Sequence, residues 1–271
     1  MREICVEIGG VPILLRTPDS NFRNLIEQRY AGFVGTANNA QSSFDIDFLP
    51  VGASRPEVPA ETDDDGPSIV VKHDGRKWHF ERGDFHAEWH AGTGQGRIAL
   101  APSPYGIDAI LRIVHSLIQA GQGGFLLHGA SAIRNRKAFL FSGVSGAGKT
   151  TISRLAPPDA TLLTDEISYV RCESGKYFAC GTPFAGELAA LGENAQAPVE
   201  RLFFLAKGGE NRIEPIGQAD ALRMLLRNIL FFADDSELVG KVFRTACEFL
   251  DRVPVSRLTF YPDEHVWELV Q

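Results

Sequence analysis

A chain of 271 residues, 44% of them apolar, has room for one large domain or two small ones. Its net charge of −7 argues against non-specific binding to nucleic acid or to an anionic membrane surface. No apolar run is long enough to span a bilayer, and Met1 is followed by charged residues rather than an apolar signal segment, so a cytoplasmic protein is expected. Cys5, Cys172, Cys180 and Cys247 are scattered without CxxC spacing. Cys172 and Cys180 could face each other across a hairpin, but buried reduced thiols are the better reading.

Ile4–Arg16 holds two strand-like runs joined by Gly9-Gly10, a hairpin signal. Ser20 is placed to cap a helix over 21–30, with Phe22, Leu25 and Ile26 at helical spacing. SFDIDFL, 43–49, alternates as a half-buried strand does. The segment 52–67 is rich in Pro, Asp, Ala and Glu, and its Asp63-Asp64-Asp65 triplet reads as a solvated loop tip rather than a metal site. Runs at 68–71, 77–81, 85–90 and 97–101 form a meander of short strands with glycine turns between them. His73, His79, His86 and His90 fall there. On a strand His86 and His90 share a face but stand about 13 Å apart, which suits polar surface rather than a metal.

Residues 105–120 carry apolar side chains at Ile107, Ile110, Leu111, Val114, Leu117 and Ile118, an amphipathic helix closed by Gly121, with His115 as a structural residue. A domain boundary is expected near Pro102–Pro104. That gives an α+β domain over 1–103, suited to partner recognition by strand addition, and a second domain over 104–271. In the second domain FLLHGASAI, 125–133, is a buried-type strand and Asn135-Arg136 a turn. Strands follow at 161–163, at 167–170 and 176–180 around Ser174-Gly175, and as a further pair at 199–206 and 211–215. Helices are expected over 219–232 and 236–251, then a strand at 256–260 and a closing strand or turn at 266–270. The Ala-rich 189–198 reads as a mobile lid or as plain disorder.

The stretch that carries chemistry is AFLFSGVSGAGKTT, 138–151. Gly143, Gly148, Lys149 and Thr150 satisfy the phosphate-loop pattern G-x-x-x-x-G-K-[ST]. An apolar strand before it and a short helix after it are the order the motif requires. A polyphosphate needs backbone N–H groups turned inward, which the glycines, with Gly146, allow. Lys149 offers a point charge to the β/γ-phosphates, and the Thr150 hydroxyl can reach Mg²⁺. LLTDE, 162–166, then places Asp165 and Glu166 after an apolar strand. One carboxylate there could hold Mg²⁺ and the other take a proton from an attacking hydroxyl. Fifteen residues, 150–164, separate Lys149 from Asp165, far fewer than in most P-loop NTPases. Pro157-Pro158 cuts the intervening helix short. His128 one strand earlier is a core histidine or a site residue. Arg223 and Arg227 read as solvated rather than phosphate-binding.

LLHGASAI, FSGVSGAGKTT and LLTDE together resemble the catalytic domain of HPr kinase/phosphorylase and its relatives. A TPF-G-E loop from Gly181 onward is similar to that of HPr-kinase-related proteins in peptide-modification clusters. The resemblance is strong over about 125–170, looser to the C-terminus, and absent from the first hundred residues. It implies an α/β fold of the phosphoenolpyruvate-carboxykinase-like P-loop type, a mixed sheet with a short P-loop helix. It further implies an ATP- and Mg²⁺-dependent kinase acting on a hydroxyl of a peptide, protein or small molecule. By position, Asp165 would be the general base and His128 would assist at the γ-phosphate. Lys149 with Gly143, Ser145, Gly146, Ala147, Gly148, Thr150 and Thr151 would hold the phosphates, and Thr150, Glu166 and Asp165 would serve the metal. The family has Asp-Asp where this chain has Asp165-Glu166. The glycine- and asparagine-rich segment tied to phosphorolysis and HPr docking is not recognisable, so neither is carried over. A nucleotide-binding regulator and a carboxykinase-like enzyme are the alternatives, and a homo-oligomer stays open.

Overall fold

The computed structural model describes residues 2–36, 40–50, 69–184, 186, 188 and 192–271. The Asp63–Asp65 triplet lies outside them. Compactness divides the chain into residues 1–114 with 232–236, and residues 115–231 with 237–271.

The first unit is a 7-stranded mixed sheet. Gly9 and Gly10, both at positive φ (59° and 77°), turn β1 (Arg2–Ile8) onto β2 (Val11–Thr17). Positive φ at both central residues gives a hairpin turn whose twist matches the strands. β3 (Ser42–Phe48) lies parallel to β2, and β7 (Gln95–Leu100) lies parallel to β3. β6 (Phe85–His90), β5 (Trp78–Arg82) and β4 (Val70–His73) continue antiparallel. Period-two alternation buries Phe44, Ile46, Phe80, Phe85 and Ala87 while their neighbours stay polar, the pattern of a sheet with one packed face. Helix α1 (Ser20–Arg29) buries Phe22 and Ile26. Its cap is Asp19 rather than Ser20: the Asp19 carboxylate accepts from the Asn21 and Phe22 amides at 2.7 and 3.0 Å. Such a cap contributes about 1 kcal/mol.

The division between units falls inside α2 (Pro104–Gln122), between Val114 and His115. Gly121 does not close this helix; it runs to Gln122, and Gly123 at φ 76° follows. Burial is nearly all-round and takes in Asp108, His115, Ser116 and Gln119, so α2 is a core helix with polar residues inside it. His115 is fully buried, edge-on to the Tyr169 ring at 5.5 Å, and burial alone lowers it to about 3. Neither ring nitrogen has a hydrogen-bond partner among the described residues.

The second unit is a 9-stranded mixed sheet. β8 (Phe125–Arg134) turns through Asn135-Arg136, both at positive φ, into β9 (Lys137–Ser142). β10 (Thr161–Thr164) and β11 (Ile167–Glu173) pair antiparallel with β8, and β12 (Lys176–Cys180) returns along β11. β13 (Gln196–Lys207) runs antiparallel to β12 and parallel to β9, and β16 (Val255–Phe260) runs parallel to β13. β14 (Arg212–Pro215) pairs with β16, not with β13. The two-residue β15 (Ile229–Leu230) joins β8.

Successive residues of β9 and β13 enter two different cores. Leu140, Leu202 and Phe204 pack with Phe249 of α5 (Ser236–Arg252) and Leu225 of α4 (Gln218–Asn228), while Phe139, Phe141, Phe203 and Leu205 pack with Ile152 and Trp267. A strand buried on both faces reads as a continuous apolar run, which is what AFLF and LFFL are. The C-terminus is a short 3₁₀ turn (Glu264–Glu268), not a strand.

Other expectations are corrected. Cys172 stands opposite Tyr177 and Cys180 opposite Tyr169, so the two do not face each other, and all four thiols are free. Part of the 189–198 stretch is sheet: Gln196, Ala197 and Pro198 pair with Cys180, Ala179 and Phe178. Residues 189–191 lie outside the described ones. No helix among the described residues is long and apolar enough to cross a membrane.

Candidate active site

β9 ends at Ser142, and the glycine loop leaves the sheet at the carboxyl ends of three parallel strands, β9, β13 and β16. That end of an α/β sheet is where ligands bind. The loop closes on itself. The Ala147 amide donates to the Val144 carbonyl at 3.0 Å, and the Lys149 ammonium donates to the carbonyls of Gly143 and Val144 at 3.0 and 3.3 Å. Gly146 sits at φ 74° with nothing near the position of a Cβ, so the cradle is open there. Gly148, at φ 110°, meets the Phe260 ring 2.7 Å from where a Cβ would lie; a side chain has neither the torsion nor the space. Ser145 is exposed, Ala147 is buried, and Gly148, Lys149, Thr150 and Thr151 are half-buried.

The helix that follows, α3 (Lys149–Arg154), is six residues long. Its Ile152 carbonyl accepts from the Trp267 indole at 3.0 Å, so the C-terminal turn holds it from below.

The acidic pair comes from another direction. β10 and β11 lie along the same edge of β8. Thr164 stands opposite Ser131 and Ile167 opposite His128, so the register is unchanged across the Asp165-Glu166 turn. The Thr164 hydroxyl accepts from the amides of Glu166 and Ile167, both at 3.2 Å, and shapes that turn. Gly129 joins the two halves of the site. Its amide donates to the Glu166 carbonyl at 2.8 Å, and on its other side it stands opposite Ser142. Two inter-strand spacings, about 10 Å, therefore separate the backbone of the acidic turn from the start of the glycine loop. Gly129 has no room for a Cβ, which would lie 2.8 Å from the Phe141 carbonyl. His128 precedes it, half-buried, and its carbonyl accepts from the Ser142 hydroxyl at 2.7 Å. The sheet thus brings together the glycine loop, Lys149, Thr150, the acidic pair and His128.

The two carboxylates differ. Asp165 is 4% exposed; its Oδ1 accepts from the Gly186 amide and its Oδ2 from the Leu188 amide, both at 2.9 Å. Glu166 is half-buried. Sequence reasoning missed Thr164, Gly186, Leu188, Phe260 and Trp267 as parts of this site. Thr164 acts locally, on the amides two and three residues on, whereas the other four act across long sequence separations that no local pattern marks.

Residues 106–271 match the family of ScmC, a SynChlorMet cassette protein. The chain belongs to the ScmC family. The match begins near the start of α2 and takes in the whole glycine loop and acidic turn. No curated protein matches the chain. Among solved structures, the Hpr(Ser) kinase/phosphatase from Coxiella burnetii is similar at 13% identity and a TM-score of 0.30, over 54% of this chain and 85% of that one.

Elsewhere the side chains offer less. Arg223 is exposed and pairs with Asp220 at 2.6 Å, as expected of a solvated arginine. Among the described residues no His, Cys, Asp and Glu cluster of three is placed to hold a metal. The polar face of the first sheet carries an open groove of about 530 Å³ lined by Arg16, Asp45, Lys77, Glu88 and Arg97. Its charges are largely matched internally, Arg16 to Asp45 at 3.6 Å and Lys77 to Glu88 at 2.8 Å.

Proposed function

We propose that this chain is an ATP-dependent phosphotransferase that moves the γ-phosphoryl group to a hydroxyl, a serine of a peptide being the acceptor we favour. The observation that supports it is the placement of the glycine loop and the acidic turn on opposite sides of Gly129, at one level of the sheet. In-line phosphoryl transfer needs that pairing: a phosphate cradle on one side, and on the other a carboxylate for the metal and the departing proton.

The residues present fit the group. An open cradle at Gly146, a lysine one turn on and a threonine beside it offer N–H donors and positive charge to phosphate. Thr150, Glu166 and Asp165 supply the hard oxygen donors that Mg²⁺ takes. Mg²⁺, when bound, neutralises charge on the β- and γ-phosphate oxygens. The loop amides and Lys149 would hold the phosphates, and His128 would assist at the γ-phosphate, as the resemblance implies. The bond from the γ-phosphorus to the bridging oxygen breaks, a bond to the acceptor oxygen forms, ADP leaves, and the acceptor proton passes to the acidic pair. The HPr-kinase type of fold is part of this reading. Membership of a cassette protein family fits an acceptor supplied by the same cassette.

The test is nucleotide binding and transfer with and without Mg²⁺, with phosphate located on candidate peptides by mass spectrometry. Lys149→Ala should lower transfer by about 10²–10³-fold, the usual loss when a group stabilising transition-state charge is removed. A wild-type protein that neither binds nor turns over ATP in Mg²⁺ would overturn the proposal.

A further inference from the structure

The strands beside β9 run past its end. Ser142, the last residue of β9, is level with Phe204, whereas β13 continues to Lys207 and β16 to Phe260. At about 3.3 Å per residue, the end of β13 stands about 10 Å beyond the point where the glycine loop begins. The loop lies against that extension. A Cβ on Gly143 would stand 3.5 Å from the Leu205 carbonyl oxygen, and one on Gly148 would stand 2.7 Å from the Phe260 ring. Its first glycine is thus beside β13 and its last beside β16.

Side-chain alternation puts one cation between those two contacts. Phe203 and Leu205 of β13, with Leu258 and Phe260 of β16, share a core with Ile152 of α3. Lys207 is next in the β13 series, two residues on from Leu205, and it stands opposite Phe260. Its side chain therefore leaves the sheet on the face that carries the glycine loop and α3. The apolar layer ends there, and Lys207 is exposed.

The backbone beneath it is held at both ends of the turn that follows. The Gly208 amide donates to the Phe260 carbonyl at 3.1 Å, and the Asn211 side chain accepts from the Tyr261 amide at 2.9 Å. Gly208 has no room for a Cβ, which would overlap the Thr259 methyl group. The carboxylates of this corner are engaged with other groups. Glu210 pairs with Arg212 at 2.8 Å, and Asp263 accepts from the Asn211 side-chain amide at 2.9 Å. Among the described residues Lys207 forms no ion pair.

We infer that Lys207 is a second phosphate-binding cation, whose ammonium meets the phosphate oxygens of a nucleotide seated in the glycine loop. A lysine stem can lie along the neighbouring Phe260 ring and keep its charged head in the cleft. A triphosphate carries more negative charge than the Lys149 ammonium offsets, and a charge-assisted contact from the next strand adds to the hold. The inference rests on the glycine loop being a phosphate cradle. It does not rest on transfer to a hydroxyl.

Calorimetric titration of the full chain with tripolyphosphate and with ATP, both with Mg²⁺, tests it. Lys207→Gln should weaken both ligands about tenfold, and Lys207→Arg, which keeps the charge, by about threefold or less. Added salt should shrink the loss in Lys207→Gln. Lys176→Gln removes the same charge from the hairpin between β11 and β12, at the opposite end of β11 from the acidic turn, and should weaken neither ligand. Unchanged affinity in Lys207→Gln, or an equal loss in Lys176→Gln, would overturn the inference while leaving the phosphotransferase reading intact. A wild-type protein that binds neither tripolyphosphate nor ATP would overturn both. Binding that depends on Lys207 in a protein that phosphorylates no hydroxyl would uphold the inference and sink the phosphotransferase reading alone.

Discussion

The glycine loop and the described residues that follow β12 are held in opposite ways. The glycine loop, 143–148, is held from within: its own carbonyls receive the Lys149 ammonium and the Ala147 amide, and its glycines take torsions no other residue takes easily. After β12, Thr182, Gly186, Leu188 and Glu193 are held from outside, by Leu162 and Leu163 of β10, Asp165 of the turn and Ile167 of β11. A loop that carries its own restraints shows them in its sequence. A loop restrained by distant residues does not.

The sharpest way to break the comparison is to damage the self-held loop at one residue. Gly148→Ala forces a side chain into φ 110° and against the Phe260 ring, so phosphate affinity should fall about tenfold or more and stability by about 1–3 kcal/mol. Titration with nucleotide and a denaturant curve read the two effects, and loop amides at 186 and 188 should not respond. The next effect is smaller and blurs the contrast, because the helix that follows the glycine loop has an external tie. Trp267→Phe removes the indole donor to Ile152 while keeping the ring, and should cost about 1–2 kcal/mol in the same denaturant curve. If that loss also weakens nucleotide binding, the C-terminal turn belongs to the site's restraints.

An effect that vanishes at neutral pH supplies a reference, since His115 belongs to neither loop. Burial holds it at about 3 in the fold against 6.5 in the open chain, so the unfolded chain takes up the proton first as pH falls. Its contribution is harmless above about pH 6.5 and erodes stability from there down towards pH 3, by at most about 1.4 kcal/mol per pH unit. His115→Phe should flatten that part of the stability–pH curve, and both loops should weaken together with the wild-type fold.

What could be read from the residues follows the same division. Gly9-Gly10, Asn135-Arg136 and Ser174-Gly175 announced their hairpins because turn chemistry is local. AFLF announced a buried strand because both faces of β9 are covered. The glycine loop announced itself, and LLTDE announced an acidic turn after a strand. The cap of α1 was missed by one residue because Asp19 and Ser20 are both good caps, and only Asp19 has the geometry. The end of α2 was missed because Gly121 is tolerated inside a buried helix. The parallel ladder β9–β13–β16, the partner of β14 and the C-terminal turn on Ile152 join residues far apart in sequence, with no short-range signature. The same holds for the anchoring of the stretch read as a lid, whose far end is part of β13. Asp165 reads as a reactive carboxylate from its neighbours in sequence; the two amides that its oxygens meet, Gly186 and Leu188, carry no such signal.

The unbroken register on either side of the acidic turn sets a rule of length. Thr164 and Ile167 keep step with Ser131 and His128, so two residues of turn match two residues of β8. Adding or removing one would shift every later residue of β11 by one place and send its side chain to the opposite face, unless a bulge such as the one at Leu163 in β10 absorbed the change. The pair is thus a spacer: the register with β8 constrains its length and leaves the identity of its side chains free.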